Sequence, residues 1–71
     1  MNSIILRSGL KYRTRSGSVV IISDNNYPMN KDLYPFIGVD IHSKFSHSYT
    51  SKGYFLYSES YHHYDIIEQI V

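Results

Sequence analysis

The sequence contains no cysteine, so the chain forms no disulfide and has no thiolate for catalysis or for zinc binding. Alanine and tryptophan are also absent, and strong helix formers are scarce throughout. No apolar run approaches the roughly 20 residues that a membrane-spanning helix needs. The N-terminal "MNSIILRSG" has only three consecutive apolar residues and no basic stretch before them. We therefore expect no signal peptide and no membrane partner, and we expect the protein to reside in the cytoplasm.

A chain of 71 residues has room for one domain, which we assign to residues 1–71, and for only a thin core. A domain this small needs additional stabilisation, and without disulfides this must come from dense aromatic packing or from assembly. The net charge is only +1, but basic residues concentrate in the first half and acidic residues in the second. Complementary faces of this kind favour a homo-oligomer, which we expect here.

Valine, isoleucine, tyrosine, phenylalanine, threonine and serine dominate, and this composition predicts an all-β chain. The clearest element is a hairpin that joins "LKYRTR" (residues 10–15) to "VVIIS" (residues 19–23) through "SGS", where Gly17 is free to take a positive φ. The first strand alternates, so its basic residues, Arg13 and Arg15 among them, share one face. The second strand is apolar on both faces, which predicts burial on both sides.

The middle of the chain predicts a loop and three more strands. Residues 24–32, "DNNYPMNKD", carry the asparagine, aspartate and proline of a long loop. A third strand is predicted at residues 34–42, and its core face is expected to be Ile37, Val39 and Ile41. "SYTSKGYFLYS" then predicts short strands at residues 48–50 and 54–58 around a turn in which Gly53 is left-handed.

The tail, "YDIIEQIV", fits either a helical stripe or a strand, and its β-branched residues favour a closing strand. Short strands at this spacing predict a small, single-domain SH3-like barrel of about five strands, partly open.

Four phrases stand in a recognisable order along the chain: "KYRTRSGSVV", "YPFIGVD", "SYTSKGYF" and the spaced pair "ES" and "YDII". This order resembles a group of small, mostly uncharacterised proteins encoded by bacteriophages. Those proteins carry a Tyr-x-Thr-Arg-x-Gly hairpin, a Tyr-Pro strand ending in glycine, a Ser-aromatic-Thr turn and a terminal Asp-Leu-Val-like strand. The similarity covers roughly residues 9–70. It implies a phage origin and an accessory role in the host cytoplasm, and it supplies no catalytic residue.

The sequence shows no catalytic or metal-binding pattern. No serine lies in G-x-S-x-G, and the four glycines are isolated, so no phosphate-binding loop is present. The histidines lack the spacing of a zinc site, and adjacent His62 and His63 would point to opposite faces of a strand. We therefore expect a protein without enzymatic activity, cofactor or metal.

The residues that remain are suited to binding. A basic row on the first strand can hold phosphates while tyrosine rings stack on bases. Eight tyrosines also exceed what a thin core can bury, and tyrosine is enriched at protein interfaces. The candidate binding residues are Arg13, Arg15, Tyr49, Tyr54, Tyr57, Tyr61 and Tyr64.

These observations predict a non-enzymatic phage accessory protein that blocks a bacterial host protein by stoichiometric capture, as a counter-defence factor would. One alternative is an oligomeric sponge that sequesters a nucleotide immune signal between subunits. A small nucleic-acid-binding barrel is a third hypothesis, and the near-neutral charge argues against it. A structural component of the virion is a fourth.

Overall fold

A computed structural model describes residues 4–26 and 32–70 of the chain. Over these residues the protein is all-β and has no helix. The five strands are β1 (Lys11–Thr14), β2 (Val19–Asp24), β3 (Phe36–Asp40), β4 (Ser46–Tyr49) and β5 (Ile66–Ile70).

All strand pairs are antiparallel and belong to one sheet, in the order β4-β3-β2-β1-β5. The first four strands follow one another as a meander, and β5 returns to pair with β1. The sheet is not closed, because β4 and β5 lie at its two edges. The prediction of a small all-β domain with five short strands in a partly open, SH3-like arrangement is therefore confirmed.

The first hairpin forms as predicted. Tyr12 and Thr14 of β1 are buried while Lys11 is exposed, which confirms the alternation. Gly17 has a φ of 92°, and its N–H donates to the Thr14 carbonyl at 3.0 Å. The Thr14 hydroxyl also accepts from the Ser18 N–H at 3.2 Å, so side-chain and backbone bonds together fix this turn.

The core lies on one face of the sheet and is built on two fully buried tyrosines, Tyr12 and Tyr49. The Tyr12 hydroxyl accepts from the Arg7 N–H at 2.9 Å and donates to the Ile5 carbonyl at 3.2 Å, so it attaches the segment before β1 to the sheet. The remaining buried hydrophobic residues are Leu6, Val20, Ile22 and Ile66, and those packed against them are Ile4, Leu10, Phe36 and Phe55.

The predicted orientation of β3 is wrong. Gly38 is buried and pairs with the buried Ile22 of β2, so the core face of β3 carries Gly38 and not Ile37, Val39 and Ile41. The physical reason is the large ring of Tyr49 on β4, which lies directly against Gly38. Only a residue without a side chain leaves room for that ring, so a glycine and not an isoleucine faces the core here.

The prediction that the second strand is buried on both sides is also wrong. Val20 and Ile22 are buried, but Ile21 between them is 38% exposed. Ile21 pairs with Lys11 on one side and Val39 on the other, and all three point away from the core. The core occupies a single face of the sheet, so the outward residues of β2 stay partly in contact with solvent.

Residues 54–58 do not form the predicted strand but belong to the connection from β4 to β5. Side chains bond the backbone there: the Phe55 N–H donates to the Asp65 carboxylate at 2.9 Å, and the Tyr57 N–H donates to the Tyr34 hydroxyl at 3.0 Å. These bonds occupy groups that a strand would use for pairing.

The other boundaries differ little from the prediction. The third strand is shorter than predicted, β4 begins two residues earlier, and the tail forms the predicted strand. Most of the predicted loop at residues 24–32 lies outside the described residues, as does Val71.

The contact between Gly38 and Tyr49 yields a stability prediction. A Cβ at position 38 would lie 2.6 Å from Tyr49 Cε2 and 3.3 Å from Val20 Cβ. We expect Gly38→Ala to lower the free energy of unfolding by about 2 kcal/mol, because the ring has to move within a packed core. Urea denaturation measures the change.

Gly17→Ala is the matched control. A Cβ at Gly17 meets no atom within 4 Å, so the only destabilising factor is the positive φ of the backbone. Its expected loss is about 1 kcal/mol. A Gly38→Ala protein that unfolds at the same urea concentration as the wild type would contradict the packing described here.

Candidate binding surface

The candidate surface is formed by residues 54–64, which connect β4 to β5 and which we call the aromatic loop. The loop contains Phe55, four tyrosines and two histidines. It folds without regular secondary structure, so its shape depends on bonds from side chains outside it.

One buried carboxylate fixes both ends of the aromatic loop. Asp65 Oδ1 accepts from the Phe55 N–H at 2.9 Å, and Oδ2 accepts from the His62 N–H at 2.9 Å. Oδ2 also lies 3.3 Å from Nε of Arg15, at the end of β1. The Asp65 side chain is only 2% exposed, and these three donors compensate for its removal from water.

Further bonds secure the start of the loop. The Thr50 hydroxyl accepts from the Tyr54 N–H at 3.1 Å, and the Thr50 N–H donates to the Tyr54 carbonyl at 3.0 Å. Gly53 has a φ of 88°, which confirms the predicted left-handed turn. A Cβ on Gly53 would lie 3.3 Å from Ile66 Cβ, so glycine also allows β5 to approach closely.

The rings of the loop form a stacked series that continues onto β4. Phe55 stacks on His62 at 4.3 Å between centroids, and His62 stacks on His63 at 4.5 Å. Tyr64 lies 4.5 Å from His63 on one side and stacks on His47 of β4 at 4.5 Å on the other. The stacking holds the loop against the core face of the sheet.

Both arginines of the predicted site already have carboxylate partners. Nε of Arg13 lies 2.9 Å from the Glu68 carboxylate on β5, and the two side chains are 43% and 57% exposed. Arg15 pairs with Asp65, and its guanidinium also lies over the ring of Tyr61, 4.6 Å from the centroid. These pairs place Arg15 beside the aromatic loop and direct Arg13 towards β5.

Of the predicted tyrosines, two lie fully at the surface. Tyr57 is 60% exposed and Tyr61 is 76% exposed, while Tyr54 and Tyr64 are half-buried. Tyr49 is completely buried, so its ring is not exposed at the surface that the other predicted tyrosines form. Its ring fills the core above Gly38, as described above. Its hydroxyl donates to the Tyr64 carbonyl at 2.9 Å, so Tyr49 supports the loop from beneath.

Sequence reasoning missed the histidines and Asp65 as organisers of the surface. His47, His62 and His63 take part in the stacked series, and Asp65 holds the backbone. The signal was the run "YHHYD" at residues 61–65, where rings lead directly into a carboxylate. Among the described residues, no three histidine or acidic side chains form a group that could hold a metal ion.

Two open grooves lie beside the edge-on ring pair of Tyr34 and Tyr57, whose centroids are 6.5 Å apart. The larger groove, of about 350 Å³, runs along β4 and is lined by Tyr34, Ser46, His47, Ser48, Phe55 and Leu56. The smaller one, of about 220 Å³, contains Leu33, Pro35, Lys52 and Glu59 beside Tyr57. Both are open to solvent, whereas a site for a small molecule encloses most of the surface of its ligand.

Comparison of the chain with protein-family models, with curated proteins and with solved structures gave no match. Over the described residues, no helix has the length and apolar character needed to cross a membrane.

The contacts of Asp65 predict a strong effect of its removal. Asp65→Ala would leave two buried N–H groups and Arg15 without their acceptor, so we expect the free energy of unfolding to fall by about 3 kcal/mol. Amide hydrogen exchange should accelerate most at Phe55 and His62, whose N–H groups lose their bonds. Asp65→Asn, which keeps one acceptor oxygen, should have an intermediate effect.

Glu68→Ala is the matched control, because it removes the exposed ion pair with Arg13. Its expected effect is below about 0.5 kcal/mol. Equal losses for the two variants, or unchanged exchange at Phe55 in Asp65→Ala, would contradict the role assigned to the buried carboxylate.

The buried phenol of Tyr49 should make the stability of the protein depend on pH in the alkaline range. Burial, followed by the nearby carboxylates of Asp65 and Asp40, raises the pKa of the Tyr49 phenol above its ordinary value. The unfolded chain then loses this proton at a lower pH than the folded protein does. The stability that Tyr49 contributes is therefore complete below the unfolded pKa and is lost as the pH rises above it.

We expect the free energy of unfolding to fall as the pH rises above about 10, and the fall to be smaller in Tyr49→Phe, which has no ionisable group at this position. Tyr61→Phe is the matched control, since Tyr61 is exposed. Urea denaturation across this pH range measures both. Identical pH profiles for Tyr49→Phe and the wild type would contradict the prediction.

Proposed function

We propose that this protein is a non-enzymatic binding protein that captures a bacterial host protein stoichiometrically through its aromatic loop. The observation that carries the proposal is the exposure of Tyr57 and Tyr61 on a loop whose backbone is held by the buried Asp65. Exposed tyrosines on a fixed backbone lose little conformational entropy when they bind, and tyrosine is among the residues that dominate binding energy at interfaces.

Two features support a protein partner over a nucleotide signal. The guanidinium groups of Arg13 and Arg15 already contact Glu68 and Asp65, so a phosphate would have to compete with these carboxylates. The grooves beside the loop are also open to solvent, whereas sites for small ligands enclose most of the ligand surface. A protein can contact the whole loop without displacing either ion pair.

The biological setting of the proposal rests on the resemblance to small phage-encoded proteins. A protein made during infection can block a host defence protein by covering its working surface, and this requires only contact area and a one-to-one ratio. Counter-defence is therefore the role that we propose in the infected cell.

The proposal predicts a discrete partner that depends on the tyrosines. The tagged protein, used as bait in a lysate of the bacterial host, should retain one host protein at a constant molar ratio in native mass spectrometry. Changing Tyr57 and Tyr61 to alanine together should weaken the complex about 100-fold, because two exposed anchors are removed from a loop that keeps its fold. Isothermal titration with the purified partner measures the affinity.

Ile5→Ala is the matched control, because Ile5 is 71% exposed and lies outside the aromatic loop. It should bind as tightly as the wild type. An affinity that the double tyrosine variant leaves unchanged would contradict the proposal. A large rise in melting temperature with a cyclic dinucleotide, and no host protein retained, would favour the nucleotide sponge instead.

A further inference from the structure

The free edge of β4 presents unpaired backbone groups. The Asp40 N–H donates to the Phe45 carbonyl at 2.9 Å, so these two opposed residues form a hydrogen-bonded pair. This pair determines which of the following residues of β4 bond to β3. Bonded and non-bonded residues alternate along an antiparallel strand, so His47 and Tyr49 bond to β3 while Ser46 and Ser48 direct their N–H and C=O groups outwards. Among the described residues, no backbone group bonds to these outward groups.

This edge also lacks the charged side chains, prolines and bulges that often prevent strands from pairing, although β4 is only four residues long. The sequence of β4 is SHSY, with no lysine, acidic residue or proline, and its register with β3 is regular. The opposite edge, β5, contains Glu68 and an irregular register opposite Arg13 and Thr14. An unprotected edge on one side of the sheet indicates that this side pairs with another strand.

We propose that β4 pairs with β4 of a second copy of this chain, antiparallel and about a two-fold axis at His47. In this register Ser46 lies opposite the second copy's Ser48, and Ser48 lies opposite its Ser46. Both residues direct their backbone groups outwards, so each pair exchanges two hydrogen bonds and four bonds form in all. β4 contains no lysine, arginine or acidic residue, so no charge of these side chains opposes the approach of two identical edges.

The side chains next to the edge fit the same register. Phe45 is 70% exposed and, by alternation, lies on the face that carries His47 and Tyr49. Across the two-fold axis, Phe45 comes opposite the second copy's Tyr49. The larger groove, of about 350 Å³, opens at this end of β4 between Tyr34 and Phe55. Each Phe45 therefore enters the groove of the other copy, and the interface is self-complementary.

The contact has to be larger than the strand edge alone. A stable dimer interface buries about 800 Å² on each partner, and the surface of one chain is 4903 Å². Four backbone hydrogen bonds bury little apolar surface. The two Phe45 rings and the larger groove of each copy therefore have to supply most of the apolar area of the interface. The dimer covers Phe55 and Leu56 of the aromatic loop, which line the groove, but Tyr57 and Tyr61 lie outside this edge and stay exposed, so the tests of the dimer and of the function proposed above use different residues.

Sedimentation equilibrium over a concentration series tests the proposal. The wild type should change from a monomer of 8.3 kDa to a species of twice that mass. Phe45→Ala should raise the dimer dissociation constant about tenfold or more, because it empties both grooves. Ser46→Pro should do the same, because it removes two of the four bonds at the first residue of an edge strand, where proline is tolerated.

Tyr61→Ala is the matched control, since it removes an equally exposed ring elsewhere and should leave the dissociation constant unchanged. Circular dichroism melting confirms that each variant is folded. A wild type that stays monomeric at every concentration would overturn the proposal, and so would a dimer whose dissociation constant in Phe45→Ala and in Ser46→Pro equals that of the wild type.

A disulfide tests the register directly. The chain has no cysteine, so His47→Cys introduces a single thiol. In the proposed dimer this thiol faces the same thiol of the second copy across the two-fold axis. Opposed residues of a non-bonded pair have Cα atoms about 4.5 Å apart, within the range that a disulfide spans. His47→Cys should form a covalent dimer under mild oxidation much faster than Ser58→Cys, which lies in the exposed part of the aromatic loop. Equal rates would overturn the proposed register.

Discussion

The buried carboxylate of Asp65 is the interaction on which the rest of the structure depends. It lies where β5 begins, and it joins three parts of the chain: the end of β1 through Arg15, and the two ends of the aromatic loop through Phe55 and His62. A carboxylate with so little solvent contact is stable only while its donors are present. The position of β5, the shape of the loop and the exposure of its tyrosines are therefore linked through one side chain.

Aromatic rings have two distinct roles in so small a protein. Tyr12 and Tyr49 act as core residues, and their hydroxyl groups bond to backbone at the rim of the core, so a ring provides both apolar area and a hydrogen bond. Tyr57 and Tyr61 point outwards from a loop that the core rings support. A thin core without disulfides gains stability from the first group, which leaves the second group available for contact.

The sequence predicted local features well and long-range packing poorly. The first hairpin followed from alternation and from Gly17, and the closing strand followed from the β-branched residues of the tail, because both signals are local. The core face of β3 did not follow, because the reason for Gly38 lies in the ring of Tyr49 on another strand. The loop at residues 54–58 has the composition of a strand, but bonds from Asp65 and Tyr34 determine its backbone, and single-sequence patterns do not show such bonds. Likewise, the sequence marked seven candidate binding residues but did not show that Tyr49 is buried.

The pairing of β1 with β5 has a consequence for the order of folding. Arg13 and Glu68 are 55 residues apart in the chain, while the other three strand pairs, β1 with β2, β2 with β3 and β3 with β4, join neighbours in sequence. Contacts between such distant residues form late, because the loop between them has to close first. Asp65 reaches Arg15 in that same step, so we expect the meander to form before the aromatic loop takes its shape. In this order the surface that presents Tyr57 and Tyr61 is assembled last, so only the fully folded chain presents both rings together.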